Sequence, residues 1–386
     1  MSRVLLIAPV LTHPSDTGAG ARVRYMAAGL AELGHEVHYL HLQQQLGADL
    51  SAMERHWQDR LHVFRSMTPA GLLGRVRRKA TRVAGKTFHL NLPVDCYFDP
   101  EAARYVETLA AAGGFDAVIL SYVFYSRLLE FVPSGVRKLI DTHDVFSDRY
   151  RLYRMHGQAS EFFSTTRRGE ATALARADAV LAIQQWDASH FRSLGGTPVA
   201  VVGHLAPVAE PPLEPPSTMR TLLFVGGSMG INVHGVTWFL EEVFPTVRRR
   251  VPDAELWLAG GIGERMLPVR PGIRRLGFVD ALADVYQHAA VVVNPQRFGT
   301  GLSIKSVDAL LHGRPLVTTT SGARGLEEGV GTAFRQADAP DAFAEALVEL
   351  LTHPGRAAAL AGRALEYARA YHRRQLRALD DVVKGP

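Results

Sequence analysis

The stretch Asn294-Pro295-Gln296-Arg297-Phe298-Gly299-Thr300-Gly301-Leu302-Ser303-Ile304-Lys305 joins a short apolar run, Ala290–Asn294, to a helical pattern over Ser303–His312. A buried strand delivered straight into a helix is the building unit of a doubly wound α/β domain. The connection also has chemical content, because glycines, a hydroxyl and a lysine in the first helical turn converge on one point. Unpaired amides at a helix start, with an ammonium beside them, suit a diphosphate. Asp308 follows Lys305 on the same helix face, where a carboxylate can accept hydrogen bonds from vicinal hydroxyls. Phosphate charge and ribose hydroxyls together describe a nucleoside diphosphate. The plainer reading is a Gly-rich loop that only turns the chain.

Outward from this stretch, the same alternation fills the second half of the chain. Strands are expected at Thr221–Val225, Glu255–Ala259, Arg274–Phe278, Ala290–Asn294 and Leu316–Thr319, with helices at Val233–Arg250, Ala281–His288 and Ser303–His312. Helical patterning continues from Asp341 to the end, with alanine and leucine at helical spacing. Before this half lies Pro207–Met219, whose Pro207, Pro211, Pro212, Pro215 and Pro216 continue neither a helix nor a ladder and mark a linker. The first half repeats the α/β class. Strands are expected at Val4–Ala8, Glu36–Leu42, Leu61–Arg65, Ala117–Ser121, Lys138–Asp141, Ala179–Ile183 and Val199–Val202, and helices at about Ala21–Leu33, Arg151–Ala177 and Asp187–Ser193. Two such domains facing each other would leave a cleft at the carboxyl ends of their strands, where open α/β sheets bind ligands.

Composition narrows the class. A chain of 386 residues exceeds what one core usually supports. Its 47% hydrophobic and 21% charged content exclude a mostly disordered polymer. Cys96 is the only cysteine, which rules out an intrachain disulfide and any multi-cysteine metal cage. No His/Cys/Asp cluster has metal-site spacing, and no required metal is expected. Val4–Val10 is too short for a signal peptide or a span, and a cytoplasmic enzyme is the simple reading. The net charge of +5 comes almost entirely from arginine and is not interleaved with stacking aromatics, which argues against a nucleic-acid binder.

Two further glycine turns follow strands. Val225-Gly226-Gly227-Ser228 leaves Thr221–Val225 toward a helix, and Thr17-Gly18-Ala19-Gly20 opens the first helix, with Arg22 one turn inside it. The latter is not a Gly-x-Gly-x-x-Gly fingerprint, since position 23 is Val23. A dinucleotide loop, a structural turn and a loop lining a cleft all remain open for it.

These pieces, in this order, resemble the retaining glycosyltransferases of family 4, with GT-B architecture. The likeness runs through Val4-Leu5-Leu6-Ile7-Ala8-Pro9, Leu30-Ala31-Glu32-Leu33-Gly34-His35-Glu36-Val37, Ile140-Asp141-Thr142-His143-Asp144 and Arg176–Ile183. It continues through Leu223–Gly226, Gly277-Phe278-Val279-Asp280 and Ala309–Val317. The resemblance implies an acceptor-side Rossmann-like domain over 1–206, the linker over 207–219, a nucleotide-sugar-binding domain over 220–370, and a terminal helix over 371–386 that could return to the first domain. It implies a base near Phe278 and Val279, ribose at Asp308, and diphosphate among Gly227, Ser228, Thr300, Gly301, Leu302 and Lys305. His143 would approach the transferred sugar, with the donor-binding Gly18 and Gly20 facing the sugar or the phosphates, and Asp144 and Arg22 on the acceptor side or orienting. Lys305 and His143 are the expected catalytic pair. The nucleotide sugar would be a co-substrate, with no further cofactor.

The chain departs from the family pattern at two places. Of its Glu-x7-Glu pair, Asp308 takes the second place while the first falls at Phe298-Gly299-Thr300. Ser228-Met229-Gly230-Ile231-Asn232 lacks the family's arginine and lysine, and Lys305 would supply that charge. A sugar-nucleotide epimerase of similar architecture and a non-catalytic sugar-nucleotide-binding protein are the alternatives. The acceptor is open: glycan, lipid-linked or small molecule. Gly74–Lys86, with Arg75, Arg77, Arg78, Lys79, Arg82 and Lys86 among leucines and valines, could lie on an anionic membrane face, guide an anionic acceptor, or be a solvated basic helix. Asp148 and Arg149 read equally well as a surface pair.

Overall fold

The structure is a computed structural model that describes residues 1–15, 17–43, 49–65, 76, 80, 83, 90–158, 163–209, 220–264, 270–279 and 281–385. The basic stretch Gly74–Lys86 apart from three positions, most of the proline-rich segment 207–219, and Asp280 lie outside the described residues. The chain forms two compact units, Met1–Leu205 with Arg374–Pro386, and Ala206–Arg373.

The first unit is built on seven strands: β1 (Arg3–Ala8), β2 (Glu36–Leu42), β3 (Leu61–Phe64), β4 (Ala117–Ser121), β5 (Arg137–Asp141), β6 (Ala179–Ala182) and β7 (Val199–Val201). They run parallel in the order β3-β2-β1-β4-β5-β6-β7. Both faces are covered, which explains why β1 reads as unbroken apolar sequence rather than alternating. Leu5 and Ile7 enter one core with Val118, Leu120 and Ile140. Val4, Leu6 and Ala8 enter the other with Val23, Leu30 and Ile119. That second core also takes Leu376, Leu379, Val382 and Val383 from the last helix, Pro354–Lys384. A side chain at Gly29 would lie 2.9 Å from Leu205 Cδ1 and 3.0 Å from Leu376 Cδ2, so glycine lets the terminal helix pack closely.

The second unit has six parallel strands: β8 (Thr221–Val225), β9 (Glu255–Ala259), β10 (Ile273–Gly277), β11 (Val291–Asn294), β12 (Leu316–Thr318) and β13 (Arg335–Gln336). Their order is β10-β9-β8-β11-β12-β13. Leu222, Leu256, Val291, Val293 and Val317 pack with Phe239, Leu240, Phe343 and Leu347 from the covering helices.

Three helical expectations are corrected. Arg151–Ala177 is two helices, Arg149–Met155 and Arg167–Leu174. The chain leaves the first through Gly157 at φ +64° and enters the second through Thr166, whose hydroxyl accepts from Gly169 N at 3.0 Å. The helix from Asp341 onward is Pro340–Thr352 followed by Pro354–Lys384, broken where Pro354 has no N–H and holds His353 out of the helical region. Val233–Arg250 begins earlier, at Gly230, and contains a wide π turn at Phe239–Val243, next to Pro245, which removes one helical donor. The first helix is Gly18–Glu32, so Gly18 and Gly20 stand within its first turn.

Candidate active site

In each sheet the strand sequence reverses direction once, between β1 and β4 and between β8 and β11. The loops leaving the carboxyl ends of these neighbours diverge to opposite faces, and that opening is where an open α/β sheet holds its ligand.

In the second unit, the turns that leave β8, β9 and β10 are locked together. Gly226 N donates to Ala259 O at 3.0 Å, Ile262 N to Gly226 O at 3.0 Å, and Gly260 N to Gly277 O at 2.6 Å. Gly260 has φ +86°, and a Cβ there would meet Gly226 O at 2.7 Å. Sequence reading named Gly227 and Gly277 but missed Gly260 and Gly261; the signal was the glycine pair directly after a predicted strand. Gly227 and Ser228 are exposed on this turn. Beside it stands the Phe278 ring, 62% exposed; a Cβ at Gly261 would lie 3.5 Å from Phe278 Cζ and 3.4 Å from Ser228 N. An apolar ring this open at the ligand-binding edge of a sheet is a platform for a flat partner. Val279 follows it, partly exposed.

The loop after β11 closes the other side. A Cβ at Gly235 would lie 2.6 Å from Pro295 O, so the helix following β8 lies against this loop. Gly299 and Gly301 take φ +147° and +76°, conformations that L side chains rarely adopt. Thr300 Oγ1, between them, is buried with no hydrogen-bond partner among the described residues. Asn294 Nδ2 donates to Ser303 Oγ and Ser306 Oγ, both at 2.8 Å, and fixes the entry to helix Ile304–Leu311. Leu302 is buried at this entry.

Lys305 ties the two sides. Its Nζ donates to Asn232 Oδ1 at 3.1 Å, and Asn232 Nδ2 donates to Gly227 O at 3.0 Å. The ammonium also lies 5.6 Å from the centroid of the Phe224 ring. Burial lowers its pKa to about 8, with the Asp308 charge acting the other way. Asn232, in the first turn of the helix that begins at Gly230, thus links Lys305 to the Gly227 turn, a role no motif announced. Asp308 is buried near Tyr286, whose hydroxyl is pushed well above its usual range by burial and then by the Asp308 charge.

In the first unit, β5 ends on Asp141, which is fully buried. Arg22 Nε lies 3.0 and 2.9 Å from its two carboxylate oxygens and Nη2 2.5 Å from Oδ1, and the guanidinium also donates to Val202 O and Gly203 O. Burial works to raise the Asp141 pKa, but Arg22 and His143 outweigh it and hold the carboxyl well below its usual range. Arg22 is 1% exposed, so of the two senses expected for it the geometry leaves the orienting one. His143 Nε2 stands 3.0 Å from Asp141 Oδ2, outside hydrogen-bond alignment, and its ring stacks on Tyr122 at 4.2 Å. Tyr122 and His143 have φ +74° and +59° at the ends of neighbouring strands β4 and β5. Left-handed backbone at non-glycine residues is strain that surrounding structure must hold.

Asp144 is paired with Arg149, which reaches Tyr153 Oη at 3.1 Å. The expected Asp148–Arg149 surface pair is therefore corrected: Arg149 is buried, and Asp148 instead accepts from Asn91 Nδ2 at 2.6 Å. Glu170, which sequence reading missed, anchors the segment after His143 by accepting from Phe146 N at 2.7 Å, from Ser147 and from His190 Nε2 at 2.9 Å. Gly18 is exposed at the helix start. Gly20 has a local reason, since a Cβ there would lie 2.5 Å from Leu11 O. The expected site residues thus form two groups: His143, Asp144, Arg22, Gly18 and Gly20 in the first unit, and Gly227 through Asp308 in the second. Among the described residues no group of His, Cys, Asp and Glu is placed to hold a metal, and no helix is long and apolar enough to cross a membrane.

Comparison with known proteins defines the class. Residues 17–203 match the family described as glycosyl transferase 4-like domain, and residues 219–353 the one described as glycosyl transferases group 1. Sucrose-phosphate synthase of Thermosynechococcus elongatus superposes with a TM-score of 0.68 at 16% identity, over 98% of this chain and 97% of that one. TarM of S. aureus, in complex with fondaparinux, alpha-GlcNAc-glycerol and UDP, gives 0.67 at 8% identity, over 99% and 100%. Anabaena HepE, in complex with UDP and glucose, gives 0.62 at 13% identity, over 98% and 100%. The chain is a glycosyltransferase, and its fold is the two-domain α/β GT-B fold. An uncharacterised 44.6 kDa protein in the cps region of Klebsiella pneumoniae is 30% identical over 124 residues, a match spanning 29% of this chain and 31% of that protein.

Proposed function

We propose that the chain is a retaining transferase of family 4, moving a sugar from a nucleoside diphosphate to an acceptor hydroxyl. The observation that carries this reading is the partly buried Lys305 ammonium at the β8–β11 opening, hydrogen-bonded to a neutral amide rather than to a carboxylate. A desolvated cation beside a helix start favours an anionic partner strongly. HepE and TarM, whose structures hold UDP, support a diphosphate there and a sugar-bearing acceptor. Phe278 would stack on the base and Asp308 would accept from ribose hydroxyls.

In the step itself the bond from the anomeric carbon to the phosphate oxygen breaks and a bond to the acceptor oxygen forms on the same face. The acceptor proton passes to the departing phosphate, so no strong general base is needed. Charge grows on that phosphate, and Lys305 with the Gly301 loop amides would stabilise it. Lys305 supplies this charge from the chain itself, and the reaction as proposed uses no metal or cofactor beyond the donor. His143, held beside Asp141 and under Tyr122, would bond a hydroxyl of the transferred sugar. Titration calorimetry with UDP tests the reading. Lys305→Ala should weaken binding by about tenfold or more, the loss of one charge-assisted hydrogen bond, whereas Lys384→Ala should leave it unchanged. Equal affinities for the two variants would remove Lys305 from the site.

A further inference from the structure

A second polar cluster lies in the first unit, in the loop that leaves β1. The His13 ring stacks on His56 at 3.6 Å and 20°, bringing together the loop and helix Ser51–Trp57. The loop is braced from below. Trp57 Nε1 donates to Thr12 Oγ1 at 2.9 Å, and Met53 Sδ accepts from Thr12 N and His13 N, each at 3.3 Å. Thr12 Oγ1 lies 3.0 Å from His13 Nδ1 and 3.1 Å from Met53 Sδ. In the tautomer where Nδ1 accepts from the Thr12 hydroxyl, the ring proton of His13 is on Nε2.

The charges felt at this pair are cationic: Arg24 at both rings and Arg60 at His56. Burial, then His56, then Arg24 lower the His13 pKa to about 4, and burial with the two arginines lowers His56. Glu54 and Arg55 precede His56 on its helix. Among the described residues neither ring is paired with a carboxylate. Two imidazoles stacked face to face, with arginine charge acting on both, form a place that an anion would complete.

We propose that His13, His56 and Arg24 form an oxyanion site that takes the phosphate group of the acceptor, so that the acceptor hydroxyl sits on a phosphorylated molecule. The assignment to an acceptor rests on the transferase reading; the phosphate site itself does not. An arriving phosphate supplies the missing counter-charge, so both rings gain protons as it binds.

Calorimetry on the full chain, with and without saturating UDP, would titrate inorganic phosphate, glucose 6-phosphate and glucose in two buffers of different ionisation enthalpy. The two phosphates should bind in the presence of UDP with proton uptake near neutral pH, and glucose should not. His56→Gln and Arg24→Gln should each weaken the phosphates about tenfold and leave UDP affinity unchanged, which also shows that the variants fold. Retention on phosphatidylcholine vesicles only when they contain phosphatidic acid, abolished in both variants, would assign the phosphate to a lipid headgroup. Phosphate binding that is absent, or equally strong in both variants, overturns the site. Loss of UDP binding in the unaltered chain would overturn the donor reading instead.

Discussion

Lys305 shows how one side chain can be read at two levels. Its place in the first turn of a helix after a glycine loop is visible in the sequence, and so is its nearness to Asp308. Its tie through Asn232 to the Gly227 turn is not, because that contact depends on how two separated loops meet across the sheet. The lowered pKa has a direct consequence for binding. UDP is fully ionised above pH 7 and favours the charged lysine, so above about pH 8 the free protein must take up a proton to bind it. Affinity for UDP should then fall as pH rises from 8 toward 10, by up to about tenfold per unit, and the Lys305→Ala variant should lose this slope. A flat profile in the unaltered chain would show that the ammonium does not meet the ligand. For the unliganded protein the linkage runs the other way. The folded pKa lies below the unfolded value, so this group weakens the fold at low pH, and that burden lifts between about pH 8 and 10.5. Arg22 carries the opposite lesson: the sequence left it on the acceptor side or orienting, and its burial against Asp141 could be learned only from the packed fold.

At the scale of elements, strands were the most legible feature. β2, β4, β8 and β9 have the bounds that their apolar runs imply, because strands covered on both faces announce themselves without alternation. Helices were less so. Helix Pro100–Ala112 escaped notice although Asp99 caps it and Pro100 opens it, a signature of helix starts. The long pattern after Asp341 hid the break at Pro354, since alanine-rich sequence on either side keeps helical spacing through it. The terminal helix also yields a test. Leu379 is fully buried in the core beneath β1. Leu379→Ala should therefore cost about 2–5 kcal/mol, read as a lowered denaturation midpoint with far-UV circular dichroism retained at low denaturant. A loss within experimental error would mean that the helix end does not seal that core.

For the molecule as a whole, the two units divide the expected chemistry. Apart from the Gly18–Gly20 turn, the residues assigned to the donor belong to Ala206–Arg373. A ligand stabilises only the state that binds it, so in scanning calorimetry UDP should raise the transition of the second unit and leave that of the first in place. A single transition that moves as a whole would show the two units unfolding together. The boundary between units carries one more implication. The last helix leaves the second unit at Arg373, and the residues after it, Leu376 to Val383, fill the core of the first. On the ribosome, the second unit has all its residues once position 373 has emerged. The first, though synthesised earliest, must wait with an open hydrophobic face for the final helical turns, so the half of the protein begun first is completed last.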